Sequence, residues 1–144
     1  MTAYTKNAEI RWSDLDPNFH LRHSVYYDLG AYSRISFLNE MGITPASMIQ
    51  FHIGPIIFRE ECIFKREIKF GHSISINLLL DKLSADKRKW TMKHEIWINN
   101  DTLAAELTID GAWMDTVARK LTVPPELFIK GMESIPKTNT FSVL

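Results

Sequence analysis

The hydrophobic period of this chain changes once, and the change limits what it can fold into. From Ser24 to Met41 the spacing is helical: Val25, Leu29, Tyr32, Ser33, Ser36 and Phe37 share one side, while Tyr27, Ala31, Ile35 and Leu38 cover the neighbouring one. A helix with so few positions left for water belongs inside a core. From Phe51 onward the period is 2. Ile74, Ile76, Leu78 and Leu80 alternate, as do Trp90, Met92, His94, Ile96 and Ile98, and then Leu103, Ala105, Leu107, Ile109 and Gly111. Each series reads as a half-buried strand. The stretches 84–89, "SADKRK", and 99–101, "NND", are short enough to be hairpin loops, which force antiparallel pairing. A strand over about 55–70, broken at Gly71, and one over 3–12, with Ile10 and Trp12 on one face, complete the set. A sheet with one apolar face and a helix that is apolar nearly all round are both buried if the sheet curls about the helix. The expected class is α+β.

Local punctuation fits this order. Ser24 is the expected N-cap of the long helix and Gly42 with Ile43 its Schellman ending, while Thr44 and Pro45 open a short second helix. Pro124 and Pro125 start another, and the polar end "KTNTFSVL" is expected to fray after about residue 133. No repeat or linker divides the 144 residues, so one domain over 1–144 is expected. Seventeen Lys and Arg balance seventeen Asp and Glu, which leaves no net field to draw in nucleic acid or an anionic membrane. The single Cys62 excludes an intramolecular disulfide. The opening "MTAYTKNAEI" has no apolar leader, and no run approaches the roughly 18 apolar residues of a membrane span. A cytoplasmic protein is expected.

The stretch Asp14 to Tyr27, "DLDPNFHLRHSVYY", sets two carboxylates and two histidines before the long helix. Aspartates ahead of Pro17 organise turns as a matter of course. Asp14, Asp16, His20 and His23 are all metal-ligand types, but Pro17 breaks any helix through them and His-Glu-x-x-His is absent, so no metal is expected. No Gly-x-Ser-x-Gly and no glycine-rich phosphate loop occurs. His94, on the apolar face of its strand, reads as a core histidine.

With strand, long helix and four strands in this order, the chain resembles the hotdog fold. The run "RWSDLDPNFHLRHSVYY" is similar to the opening motif of acyl-CoA thioesterases of the hydroxybenzoyl-CoA thioesterase type, Asp-x-Asp-x-x-Gly-His-x-Asn-Asn-x-x-Tyr. Asp14, Asp16, His20 and Tyr26 match it, Phe19 stands where glycine is common, and Arg22 with His23 replaces the asparagine pair. The segment "IKFGHSISI" resembles the family's Tyr-Gly-Asp-x-Ile. The resemblance implies a long central helix wrapped by a curved antiparallel sheet of about five strands, and hydrolysis of acyl-CoA thioesters without a cofactor.

A thioester needs a base or nucleophile at its carbonyl carbon and donors for the oxygen that turns negative. The resemblance gives Asp16 the first role, as general base on water or as nucleophile. The unpaired N–H groups around His23 and Ser24, at the start of the helix, fit the second. His20 would orient the carbonyl or a water, Asp14 would hold the loop through Arg11 or Arg22, and Asn18, Tyr26 and Tyr27 would contact substrate. The family also implies a homodimer or tetramer with sheets joined edge to edge, in which Arg59 or Glu61 reaches the partner's site. Coenzyme A phosphates would call for basic residues near the pocket mouth, and Lys87, Arg88 and Lys89 form the densest basic cluster, although a charged hairpin tip is ordinarily a solvated turn. An acyl-carrier-protein thioesterase, a dehydratase, or a non-catalytic acyl-binding module is the alternative on the same fold.

Overall fold

The computed structural model describes residues 4–144. Strand β1 (Thr5–Ala8) is followed by a 3-10 turn (Trp12–Asp14), helix α1 (His23–Glu40), helix α2 (Pro45–Phe51) and the twelve-residue strand β2 (Ile53–Phe64). Then come β3 (Ile74–Asn77), β4 (Leu79–Leu83), β5 (Lys89–Ile98), β6 (Thr102–Asp115), the short β7 (Lys120–Leu121), helix α3 (Glu126–Glu133) and β8 (Lys137–Val143). All eight strands join one sheet. β5 and β6 pair antiparallel at its centre, β3 and β4 follow on the far side of β5, and among the described residues β2 pairs only with β6. This is the hotdog arrangement, with more strands than the five expected.

Cross-strand pairs place Ile96, His94, Met92 and Trp90 of β5 opposite Ala105, Leu107, Ile109 and Gly111 of β6, all on the face that meets α1. Trp90 lies across Gly111 so closely that a β-carbon there would stand 2.4 Å from the Trp90 ring and from the Ile56 carbonyl. Only glycine lets the indole cross the strand at that height. Register shifts between Ile57 and Arg59, Leu80 and Lys82, and Ile96 and Trp97 add the bulges that bend a sheet.

The caps of α1 differ from the expectation at one end. Helix α1 starts at His23 with Arg22 as N-cap, not at Ser24. The Arg22 N–H is held by the Asp14 carbonyl at 2.7 Å, and the Ser24 hydroxyl takes the Arg22 side chain instead of capping. The Schellman ending forms as read, with Gly42 N–H on Asn39, Ile43 N–H on Leu38, and Gly42 at φ +82°. Thr44 caps α2 through a reciprocal pair with Ser47.

Four further expectations need correction. Tyr32 and Ile35 are about half exposed, while Ser33 and Arg34 are buried, so one side of α1 is open and the buried one is partly polar. Strand β1 ends at Ala8 and Trp12 is exposed in the 3-10 turn; Ala3, at the expected start of that strand, lies outside the described residues. The apolar run 74–80 is split at Leu78. There the Asn77 side chain replaces ladder bonds by taking the Glu95 N–H at 2.6 Å, and its carbonyl turns to Ser33 and His94. Finally, the tail does not fray. Strand β8 lies parallel to β4, and the Thr138 and Thr140 hydroxyls both donate to buried Asp81, at 2.6 and 2.7 Å.

Candidate active site

Residues 15–21 form a miniature hairpin. Leu15 bridges Leu21, the Asp16 N–H meets the His20 carbonyl at 2.8 Å, and the Phe19 N–H meets the Asp16 carbonyl at 2.9 Å. A three-residue loop of this kind ends on a residue in the left-handed region. Phe19 occupies that place at φ 64°. The position explains the glycine of the family motif, and phenylalanine there costs about 1 kcal/mol of strain.

The two aspartates point to different neighbours. Asp14 is buried and gripped by Arg11 through the backbone N–H and both arms of the guanidinium, at 2.9 to 3.2 Å. The guanidinium holds the Asp14 carboxyl below the usual carboxylate range. Asp16 uses Oδ1 to accept the N–H groups of Asn18 and His20, at 2.8 and 3.0 Å. Its Oδ2 has no hydrogen-bond partner among the described residues.

Asp16, His20, His23 and Tyr26 line one open crevice of about 330 Å³. Leu21, Phe64, Lys65, Arg66 and Glu67 complete it. Arg22 offers no side-chain cap, and Val25 is the first residue whose N–H finds the Arg22 carbonyl. The N–H groups of His23 and Ser24 therefore have no acceptor among the described residues, at the positive end of α1. His20 Nε2 lies 3.3 Å from Glu67 Oε2. Tyr26 is buried with its ring edge-on to Phe64, and burial pushes its hydroxyl up to about 12, so it stays a neutral donor.

Other expected site residues lie elsewhere. Asn18 is exposed and contributes its N–H to the hairpin. Tyr27 packs half-buried beside Cys62, which itself is pushed up to about 11 by burial. Arg59 and Glu61 bond to each other at 2.7 Å and, from their pairing with Asp110 and Thr108, sit on the sheet face away from α1. Glu60 between them faces α1, where its carboxylate stands 3.7 Å from Arg34. Arg34 in turn reaches His94 Nε2 at 3.0 Å, and His94 Nδ1 bonds the Asn77 carbonyl at 2.6 Å. In the Lys87 to Lys89 cluster, Lys87 pairs with Glu133 of α3 at 3.6 Å and Arg88 with Asp86 at 3.3 Å.

Sequence reasoning missed Phe64 to Glu67, because 55–70 was read as one strand. The signal was present: strict alternation fails at "KRE", and the chain leaves the sheet there, with Lys65 and Arg66 both donating to the Ala104 carbonyl. It also missed Arg34, which is buried and bonded to His94 although nothing in the helical spacing marks it for the core.

A sheet curled on a central helix, with an acidic hairpin at the helix start, defines the hotdog thioesterase class. The model of the thioesterase-like superfamily matches residues 10–130, and the chain belongs to that family. No curated protein sequence matches it. Among solved structures it is similar to a hypothetical protein of Staphylococcus aureus in complex with CoA, at 14% identity over 98% of this chain and 90% of that one, TM-score 0.87. It is also similar to the 1,4-dihydroxy-2-naphthoyl-CoA thioesterase from Synechocystis (14% identity, 92% and 97% covered, TM-score 0.82) and to a DHNA-CoA thioesterase from Staphylococcus aureus (17%, 92% and 88%, 0.80). At these identities the likeness is one of fold.

Proposed function

We propose that the chain hydrolyses acyl-CoA thioesters in the crevice between the 15–21 hairpin and the loop after β2. The observation that carries this reading is that Asp16, whose Oδ2 has no partner among the described residues, lines one crevice together with His23, the first residue of α1, where the His23 and Ser24 N–H groups have no acceptor among the described residues. The thioester carbonyl oxygen takes the N–H groups of His23 and Ser24, which strengthen their bonds as it becomes negative. Asp16 Oδ2 serves the carbonyl carbon, either by taking a proton from water or by attacking directly. His20, oriented by Glu67, positions the water or the carbonyl, and Tyr26 bounds the acyl group. We further propose a homodimer in which β2 pairs with its copy. Among the described residues nothing pairs with the second edge of that strand, where Ile57, Phe58 and Ile63 are half exposed, and unprotected edges of this length are pairing sites. Antiparallel self-pairing sets the Phe64 end of one strand beside the Ile53 end of the other.

Asp16→Asn tests the chemistry cleanly, because an amide oxygen still accepts the Asn18 and His20 N–H bonds and the turn persists. Turnover of a good acyl-CoA, followed by a thiol-reactive dye, is expected to fall about 10²-fold or more. Activity within a few-fold of wild type removes Asp16 from the role. Tight acyl-CoA binding by the wild type with no release of CoA replaces the hydrolase by an acyl-binding module.

A further inference from the structure

A cavity of about 210 Å³ lies between the second half of α1 and the start of β2. Ala31, Ile35 and Leu38 of α1, Pro55 and Ile57 of β2 and Met92 of β5 give it apolar walls, and Arg34, Trp90 and Trp113 complete it. It shares no lining residue with the crevice. Arg34 stands eleven residues along α1 from His23, a rise of about 16 Å.

The polar side chains of this cavity all donate. Arg34 is 8% exposed, and its guanidinium makes one hydrogen bond, from Nη1 to the neutral His94 ring at 3.0 Å. The Glu60 carboxylate stands 3.7 Å from Nη2, too far to bond, and is not part of the cavity wall. The remaining N–H groups of Arg34 have no acceptor among the described residues. The indole N–H groups of Trp90 and Trp113 are buried and likewise without a partner among them. Met92 offers only a weak thioether acceptor, and no other side chain in the wall accepts. A buried cation without a bonded anion is costly, and an anion that bonds it offsets the cost.

We infer that this cavity is a binding site for a small organic carboxylate, its apolar body against the α1 and β2 walls and its oxygens on the free N–H groups of Arg34. Donors without acceptors match a ligand whose polar atoms only accept, as those of an ionised carboxylate do. A guanidinium holds such a group through two parallel bonds. The walls set the size of the rest. A cavity of about 150 Å³ takes a benzene ring, so this one suits a single ring or a branched chain that carries the carboxylate. The site stands whether or not the crevice hydrolyses thioesters.

Benzoate is the probe, titrated by calorimetry and followed by the indole N–H signals of the four tryptophans in nitrogen-edited NMR spectra. In wild type it is expected to bind saturably, with Kd of about 1 mM or below, to move the Trp90 and Trp113 signals, and to leave exposed Trp12 in place. Benzyl alcohol, of similar size without the charge, is expected to bind about tenfold more weakly or worse. Ala31→Leu narrows the cavity, leaves Arg34 alone and should weaken benzoate about tenfold or more. Arg34→Gln should cancel the preference for benzoate over benzyl alcohol. Where that variant fails to fold, as its Tm shows, the wild-type ratio decides the role of the charge. Absence of saturable binding overturns the site, as does binding that leaves the Trp90 and Trp113 signals still. Equal affinity for benzoate and benzyl alcohol overturns Arg34 as the anion's partner, and unchanged affinity in Ala31→Leu overturns the cavity.

Discussion

His94 is neutral because its surroundings leave it no other choice. Burial and the Arg34 guanidinium 3.0 Å away hold it down at about 3, against 6.5 for an ordinary histidine. Nδ1–H donates to the Asn77 carbonyl and Nε2 accepts from Arg34. The unfolded chain takes up a proton below pH 6.5 that the folded chain refuses, so stability is lost as pH falls from about 6.5 towards 3. Above 6.5 both states are neutral at this position and the slope vanishes. From pH 6.5 to 5 the loss is expected to reach about 2 kcal/mol. Urea unfolding of wild type and His94→Gln at the two pH values checks it; equal pH slopes in the two proteins would refute the assignment. That His94 is a core histidine was legible from its place in an alternating strand. Its partner was not, because nothing local to Arg34 says which strand it will meet sixty residues later.

Strand β8 closes the sheet through polar contacts. Asp81 is buried, and Thr138 and Thr140 supply its two hydrogen bonds, while Lys93 stands 3.9 Å off. The Thr138→Val/Thr140→Val pair strips both donors from a buried carboxylate and is expected to lower stability by about 1–3 kcal/mol. Thr102→Val, whose hydroxyl meets only exposed Asp101, should change it by less than about 0.5 kcal/mol. Thermal or denaturant unfolding that ranks the two alike would remove Asp81 as the anchor of the tail. The sequence of β8 carries no apolar alternation, so it read as a fraying end. Its strand character comes from the neighbour it meets.

At the scale of the whole molecule the open edge of β2 is the feature left to satisfy. The 16.7 kDa chain is expected to run at twice that mass by light scattering, and Phe58→Asp, which puts a charge on the edge, should return it to one. A monomeric wild type would end the β2 pairing. The change of hydrophobic period determined, by sequence alone, that one helix lies against one antiparallel sheet, since burial follows spacing wherever elements are long and regular. The motif before α1 likewise marked Asp16 and the helix start, because a tight hairpin and a helix end are local events. What waited for the tertiary structure were the contacts between distant segments: the loop after β2 that completes the crevice, Glu60 facing Arg34 across the α1 and β2 interface, and the tail on Asp81. Those depend on sheet curvature and on which strand neighbours which, quantities that no window of residues contains.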